Sequence, residues 1–336
     1  METRKVQLSG GTTYTVSLPK AWAQEHSIEA GALVSLHPND DGSLLVELTS
    51  SDRIEQRSVT VDIGHTDTEA LQEQLVALYT VGVDAVVLRD PSGHDRDRRM
   101  AIESAIGGMS GFELLESTDT RIRVVNLIGA DNVDIRKTAL RLRLVILSIH
   151  RDAMTAIATA DTTLADRVIQ RDDEADKLFL MVTRHFRRAL LDLREVELLG
   201  ESRERLFEYY YVCRQFERIA DHAVKIARFV VNGETSVPAT LIEEHQRHSE
   251  QALAIVDSAA DVVLAGADVS MAHGALRDAE ELAATIDASD RDLYEHEDPD
   301  SAYIIGLFLD SLRRTADYGA NIAEIGVQQH LRTQMD

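Results

Sequence analysis

Residues 216–227 read FERIADHAVKIA, and residues 312–323 read LRRTADYGANIA. In both stretches apolar residues recur at helical spacing, and the pairs Glu217/Asp221 and Arg313/Asp317 sit one turn apart on one face. A weaker echo links RDDEADKLF (Arg171–Phe179) to IDASDRDLY (Ile286–Tyr294). Two matched pairs of stretches point to an internal duplication. From Asp131 onward the spacing predicts six amphipathic helices, over about 132–160, 163–194, 202–232, 238–265, 271–296 and 300–332. They break near Asp161, Gly200, Gly233, Gly266 and Pro299. Residues 131–336 therefore read as an all-α domain of two three-helix repeats, about 131–234 and 235–336.

Upstream the texture changes. Residues 52–129 alternate strand and helix: β over 58–63, α over 68–81, β over 84–88, α over 96–106, then strands over 112–116 and 121–127. This is expected to be a small α/β domain, of ferredoxin-like type. Its loop SGHDRDRR (Ser92–Arg99) lacks the glycine spacing of a phosphate-cradling turn. Residues 1–49 read as strand, strand, short helix, strand, strand. TYTVSLP sets Tyr14, Val16 and Leu18 on one strand face, Pro19 opens a helix anchored by Trp22, and a strand follows over 32–36. Asn39-Asp40-Asp41-Gly42 is a hairpin signal returning through Leu44–Leu48. A piece this small buries too little apolar surface alone and calls for a second copy.

The chain of 336 residues has 58 acidic and 35 basic side chains, a net charge of -23, and Lys only at 5, 20, 137, 177 and 225. An acid-rich, Lys-poor surface suits a cytoplasm holding molar salt. The Debye length there is about 3 Å, so global repulsion from DNA is screened. No apolar run reaches the ~20 residues of a membrane span, and the start carries no apolar signal core. The lone Cys213 excludes a disulfide framework or a cysteine-based zinc site. The expectation is a cytoplasmic, not membrane-embedded protein.

Asp172 and Asp176 form a second i,i+4 acidic pair, on the helix preceding Glu217 and Asp221. Brought together, four carboxylates would repel and raise each other's pKa, and a cation is the simplest neutraliser. All-oxygen ligation favours a hard ion such as Mg, Ca or Mn, with Fe and Zn kept open. A solvated helix face is the competing reading in a chain this acidic. In the second repeat Arg313 replaces Glu217 and Arg291 replaces Asp176, while Asp287 and Asp317 remain. That half is expected to use internal ion pairs, with no metal or a weaker site. His245 and His248 read as part of an exposed polar face, and Tyr209, Tyr210 and Tyr211 as packing residues. No nucleophile elbow, Ser/His/Asp order or HExxH pair is present, so the chain is not expected to be an enzyme. For DNA, the candidates are Arg4, Lys5 and Lys20, with Thr12, Thr13 and Tyr14 as phosphate donors, against a background of scattered solubilising charge.

GGTTYTVSLPKAWAQEHSIEAGALVSL followed by DDGSLLVEL resembles the SpoVT/AbrB swapped-hairpin domain. That resemblance implies a homodimer whose interlocked hairpins present Arg4, Lys5 and Lys20 to DNA; Ala32 departs from the acid usual after the turn glycine. VIQRDDEADKL and FERIADHAVKIA resemble the acidic signatures of the PhoU family, two three-helix bundles that bind metal through DxxxD and ExxxD motifs and negatively regulate phosphate uptake. Asp172, Asp176, Glu217 and Asp221 match those motifs; Arg291 and Arg313 break the second set, and Lys225 stands where Asn321 keeps the family's Asn. The whole order resembles archaeal AbrB–PhoU fusion regulators of haloarchaeal type. It implies a DNA-binding transcriptional regulator of phosphate uptake or metabolism. The rival reading is a regulator that docks on a phosphate transporter ATPase or a signalling protein, its N-terminal domain serving only to dimerise. A metal-dependent hydrolase is the third.

Overall fold

The computed structural model describes residues 3–38, 42, 44–48, 57–233, 239–293 and 299–335. They fall into two compact units, Met1–Gln56 and Arg57–Asp336. In the first, β1 (Gln7–Ser9) and β2 (Thr13–Thr15) pair antiparallel, Leu8 opposite Tyr14. Gly10 and Gly11 take φ of +64° and +79° at the turn, which a side chain would strain. The expected strand through Leu18 stops at Thr15, because β1 offers only three ladder partners and Pro19 follows closely. Helix α1 (Lys20–Glu25) then leads to β3 (Val34–Pro38), which pairs antiparallel with β4 (Leu44–Leu48). The expected turn residues Asn39, Asp40 and Asp41 lie outside the described residues. Among residues 3–38, 42 and 44–46 none is buried; Leu8, Tyr14 and Leu33 are 60%, 76% and 77% exposed.

The second unit opens with β5 (Ser58–Asp62), α2 (Thr68–Thr80), β6 (Ala85–Arg89), α3 (Arg96–Gly107), β7 (Phe112–Ser117) and β8 (Arg121–Asn126). Asp67 and Asp95 cap the two helices, accepting from Ala70 N and Arg98 N at 2.8 Å each. The sheet order is β5-β6-β8-β7, parallel between β5 and β6 and antiparallel elsewhere. The ferredoxin-like expectation needs correcting. That motif runs βαββαβ, whereas here both helices precede a terminal β7–β8 hairpin. The core of this layer gathers Leu71, Leu75, Tyr79, Val86, Leu88 and Phe112.

Helices α4 (Ile135–Thr159), α5 (Thr162–Leu191) and α7 (Arg203–Val231) pack on one another, with the short α6 (Leu193–Leu199) between α5 and α7. Helices α8 (Ala239–Ala260), α9 (Val269–Asp292) and α10 (Pro299–Thr333) form the second trio, and α10 also packs on α7. At Gly319 of α10 a Cβ would come within 2.8 Å of the Ile255 side chain, so this crossing needs a bare backbone. Helix α8 ends in a π turn, Asp261–Ala265, whose Val263 and Leu264 carbonyls accept from Arg205 and Arg136 at 2.7 Å each. His245 and His248 are not on an exposed face. Both are buried, and the His245 ring lies 5.7 Å from that of Phe308, because their face of α8 meets α10. Tyr209 is buried, while Tyr210 and Tyr211 pack at 4.8 and 6.0 Å from the rings of Phe186 and Phe207.

The sheet layer is fastened to α5 by charge. Arg184, 1% exposed, donates to the Tyr79 and Val83 carbonyls and to Asp84; Arg188 donates to Gly82 O, Asp84 and Glu195. A buried ion pair adds little net stability, but stripping one partner strands the other, at about 3–5 kcal/mol. The result is one body in which α5 carries both the sheet layer and the acidic residues below. No described helix is long and apolar enough to cross a membrane.

Candidate functional site

Helices α5 and α7 run antiparallel, with Arg203 at the start of α7 donating to Ala189 O near the end of α5 at 2.9 Å. Asp172 and Asp176 lie one turn apart on α5, Glu217 and Asp221 one turn apart on α7. The packing of the two helices brings these four carboxylates into mutual electrostatic range. Burial, then Asp176, Asp221, Asp173 and Glu217, push Asp172 up to about 7. Burial and then Asp221 push Glu217 up to about 7, against Arg214. Asp176 rises to about 6 from burial, Asp221 and Asp173, and Asp221 is raised by burial. Asp172 Oδ1 and Glu217 Oε2 are buried without any hydrogen-bond partner. An orphaned carboxylate oxygen is costly, and a second cation or a proton relieves it. Among the described residues, however, no three His, Cys, Asp or Glu side chains converge closely enough to hold one ion.

The other oxygen of Glu217 is taken. Arg214, three residues back on α7, donates to Glu217 Oε1 at 3.1 Å, and its guanidinium lies 5.5 Å from the Phe179 ring. Sequence reading passed over Arg214, although its i,i+3 spacing to Glu217 was a visible signal.

The second repeat replaces repulsion with attraction. Arg313, at the position of Glu217, donates to Asp287 Oδ1 at 2.6 Å, and Asp287 stands at the position of Asp172. Arg291 Nε donates to the backbone oxygen of Asp287 at 3.1 Å. Asp317 is raised by burial, with Arg313 and Arg314 pulling it back. A cationic head thus bridges the two positions whose first-repeat counterparts carry the orphaned oxygens.

In the N-terminal unit, Arg4, Lys5, Thr12, Thr13, Tyr14 and Lys20 are all exposed; Thr13 and Tyr14 sit on β2, Lys20 at the start of α1. Residues 140–230, which contain all four first-repeat carboxylates, match the family described as PhoU domain. This stretch is similar to PhoU domains. Residues 7–53 match the family described as antidote-toxin recognition MazE, bacterial antitoxin, so the N-terminal unit is MazE/AbrB-like. Among solved structures, PhoU from Pseudomonas aeruginosa is 24% identical over 59% of this chain and 96% of its own, with a TM-score of 0.49. The phosphate transport system regulatory protein PhoU from Streptococcus pneumoniae is 21% identical over 57% of this chain and 91% of its own, with a TM-score of 0.45. No curated protein matches the chain. Asp287, Arg291, Arg313 and Asp317 lie outside the matched PhoU stretch.

Proposed function

We propose that the chain is a DNA-binding transcriptional regulator of phosphate uptake or metabolism, its PhoU domain sensing a metal ion or the state of a partner. The observation that carries this reading is the joining of a MazE/AbrB-like unit and a PhoU domain in one polypeptide. The N-terminal unit has no buried residue among 3–38, 42 and 44–46 and exposes Leu8, Tyr14 and Leu33. Burying each such side chain contributes about 1.5–3 kcal/mol, which favours a second copy of this unit. A dimer also doubles Arg4, Lys5 and Lys20 on one assembly, next to the hydroxyls of Thr12, Thr13 and Tyr14. In a salt-rich cytoplasm such short-range contacts outweigh counterion release.

For the PhoU domain, the orphaned Asp172 Oδ1 and Glu217 Oε2 mark a deficit of positive charge that a hard divalent cation such as Mg, Mn or Ca would relieve. Such an ion would supply the positive charge that Arg313 supplies in the second repeat. Regulation is the role this supports. One observation favours the rival, a docking regulator of a transporter ATPase or signalling protein whose first unit only dimerises: residues 1–48 hold more acidic than basic side chains.

Mapping chromatin occupancy of the tagged protein under ample and scarce phosphate decides between them. Discrete peaks at phosphate-transport promoters that respond to supply are expected. Discrete peaks elsewhere would keep the regulator and discard phosphate, and a flat profile would leave the docking module. Lys20→Glu should erase the peaks while the dimer persists.

A further inference from the structure

We propose that the open seam between α5 and α7 is a docking groove for one helix of a partner protein. That helix is apolar along the half that meets Phe186 and Phe207, and rich in Lys or Arg along the half that meets Asp172, Asp176 and Asp221. The inference deepens the partner-sensing part of the reading above and needs neither its DNA part nor its metal part.

Helical spacing lays the groove out. On α5, Asp172, Asp176, Phe179, Phe186 and Leu190 share one face, and on α7 Phe207, Tyr210, Arg214, Glu217 and Asp221 do the same. Because the helices are antiparallel, acids meet acids at one end and rings meet rings at the other. The Phe186 ring lies 4.8 Å from that of Tyr210 and 6.2 Å from that of Phe207, and Phe179 lies 6.1 Å from Tyr210. From Asp172 to Leu190 the face runs about 27 Å, which a partner helix of about 18 residues covers.

The apolar end is uncovered: Phe207 is 45% and Leu190 52% exposed. With Phe186, with Ile325 of α10 and with Met335 beyond it, they line a pocket of about 560 Å3. Its rim is polar, Arg332 pairing with Glu208 at 2.8 Å. An apolar floor inside a polar rim is how protein–protein interfaces are built, and a large apolar side chain of the partner is the fitting anchor. At the other end Asp172, Asp176 and Glu217 are half-buried and Asp221 is exposed. A Lys or Arg lays its apolar stem along the groove and brings its charged head to these acids. Nucleic acid and an anionic membrane surface both bring like charge to this end and are disfavoured. Half-buried charge pairs are screened by salt less than exposed ones, so the complementarity survives in a salt-rich cytoplasm. The second repeat does not rebuild the groove: by the match of 216–227 to 312–323, Gly306 stands at the position of Tyr210 and Arg313 at that of Glu217.

The probe is a synthetic amphipathic helix of about 18 residues, lysine-rich along one half and Leu- and Phe-rich along the other, its binding to the full chain read by fluorescence anisotropy. Controls are the same composition in scrambled order and a version with Glu in place of every Lys. Wild type should bind the probe at least about tenfold more tightly than either control. Phe207→Ala takes the ring from the pocket and should weaken binding about tenfold. Asp176→Asn with Asp221→Asn should weaken it about three- to fivefold. That exchange relieves repulsion within the seam, so thermal melts should show the fold intact while binding falls. No binding by wild type, or binding that survives either scrambling or Phe207→Ala, would overturn the groove. A changed oligomeric state of Phe207→Ala in sedimentation would make a second copy the occupant and overturn the partner helix. The chromatin occupancy map is read independently. A failed probe with a supply-responsive map overturns the groove and keeps the regulator, and a bound probe with a flat map does the reverse.

Discussion

The two halves of the helical region solve the same electrostatic problem in opposite ways. In the first, four acids share a seam, their pKa values rise, and two oxygens are left unpaired. In the second, two of the four positions are arginine, and one of them bridges to the facing acid at 2.6 Å. A fixed internal cation makes a seam permanent. An unfilled deficit of positive charge leaves its carboxylates holding protons to unusually high pH. Duplication followed by two acid-to-arginine differences is thus a route from a symmetric pair of seams to one half with its charge compensated and one half without.

The strongest way to break this contrast is to give the first seam the residue of the second. Glu217→Arg should pair with Asp172, as Arg313 does with Asp287. The variant should melt higher than wild type in chelator and lose its response to Mn2+. Bound ion at a hundredfold over Kd contributes about 2.7 kcal/mol, and that whole increment should vanish. A variant that still gains stability from Mn2+ would show that Asp172, Asp176 and Asp221 suffice and that Glu217 is no part of the site.

The converse exchange, Arg291→Asp with Arg313→Glu, recreates four acids in the second seam. In chelator it should destabilise the chain by about 1–2 kcal/mol through like-charge repulsion and lost pairing. The Mn2+ stoichiometry should rise by one site per chain. Unchanged stoichiometry would mean that geometry, and not only charge, separates the two halves.

Much of this contrast is legible in the sequence alone. The duplication, the four acids and the two arginines all lie at fixed offsets along helices, and helical periodicity places side chains on faces without knowledge of the fold. The strands and helices of the sheet layer were legible for the same reason. Its topology was not, because strand order depends on which edges meet, and a βαβαββ string permits several orders. The burial of His245 and His248 was hidden likewise: polar residues three apart read as a wet face until α10 is laid against them. Arg184 and Arg188 look like ordinary surface arginines in RHFRR, and only the docking of the sheet layer onto α5 makes them buried anchors. Arg214 was overlooked because its partner is local while its significance depends on a neighbouring helix.

The pH dependence of the chelated protein sharpens the comparison with a smaller effect. In the folded chain Asp172 and Glu217 keep their protons up to about 7, against ordinary values of 3.8 and 4.5. The folded state binds more protons between those limits, so their contribution is full below about 4 and is lost as pH rises through 7. His150 and His222 act the other way, held by burial at about 4 against an ordinary 6.5, and they add stability as pH rises towards 6.5. Above about 6.5 these two histidines no longer oppose the loss from Asp172 and Glu217. The melting temperature in chelator should fall between pH 6.5 and 8, on the order of a few degrees, and Glu217→Arg should flatten that slope. A rising curve in this window would contradict a buried, mutually repelling cluster.

Arg313→Ala should have the smallest effect, and its smallness is itself informative. The bridge to Asp287 is short, but its two side chains are 45% and 41% exposed. Water therefore competes for both charges, and such pairs contribute about 0–1 kcal/mol. Removing Arg313 leaves Asp287 hydrated, unlike Asp172, whose Oδ1 is buried and unpaired. The loss in denaturant unfolding should accordingly stay below about 1 kcal/mol and shrink further in molar salt, where the Debye length is about 3 Å. A loss of about 3 kcal/mol or more would mean that the second seam depends on its cation as heavily as a buried site does. The distinction between a compensated half and an uncompensated half would then rest on how tightly the cation is tethered, not on how much the seam needs one.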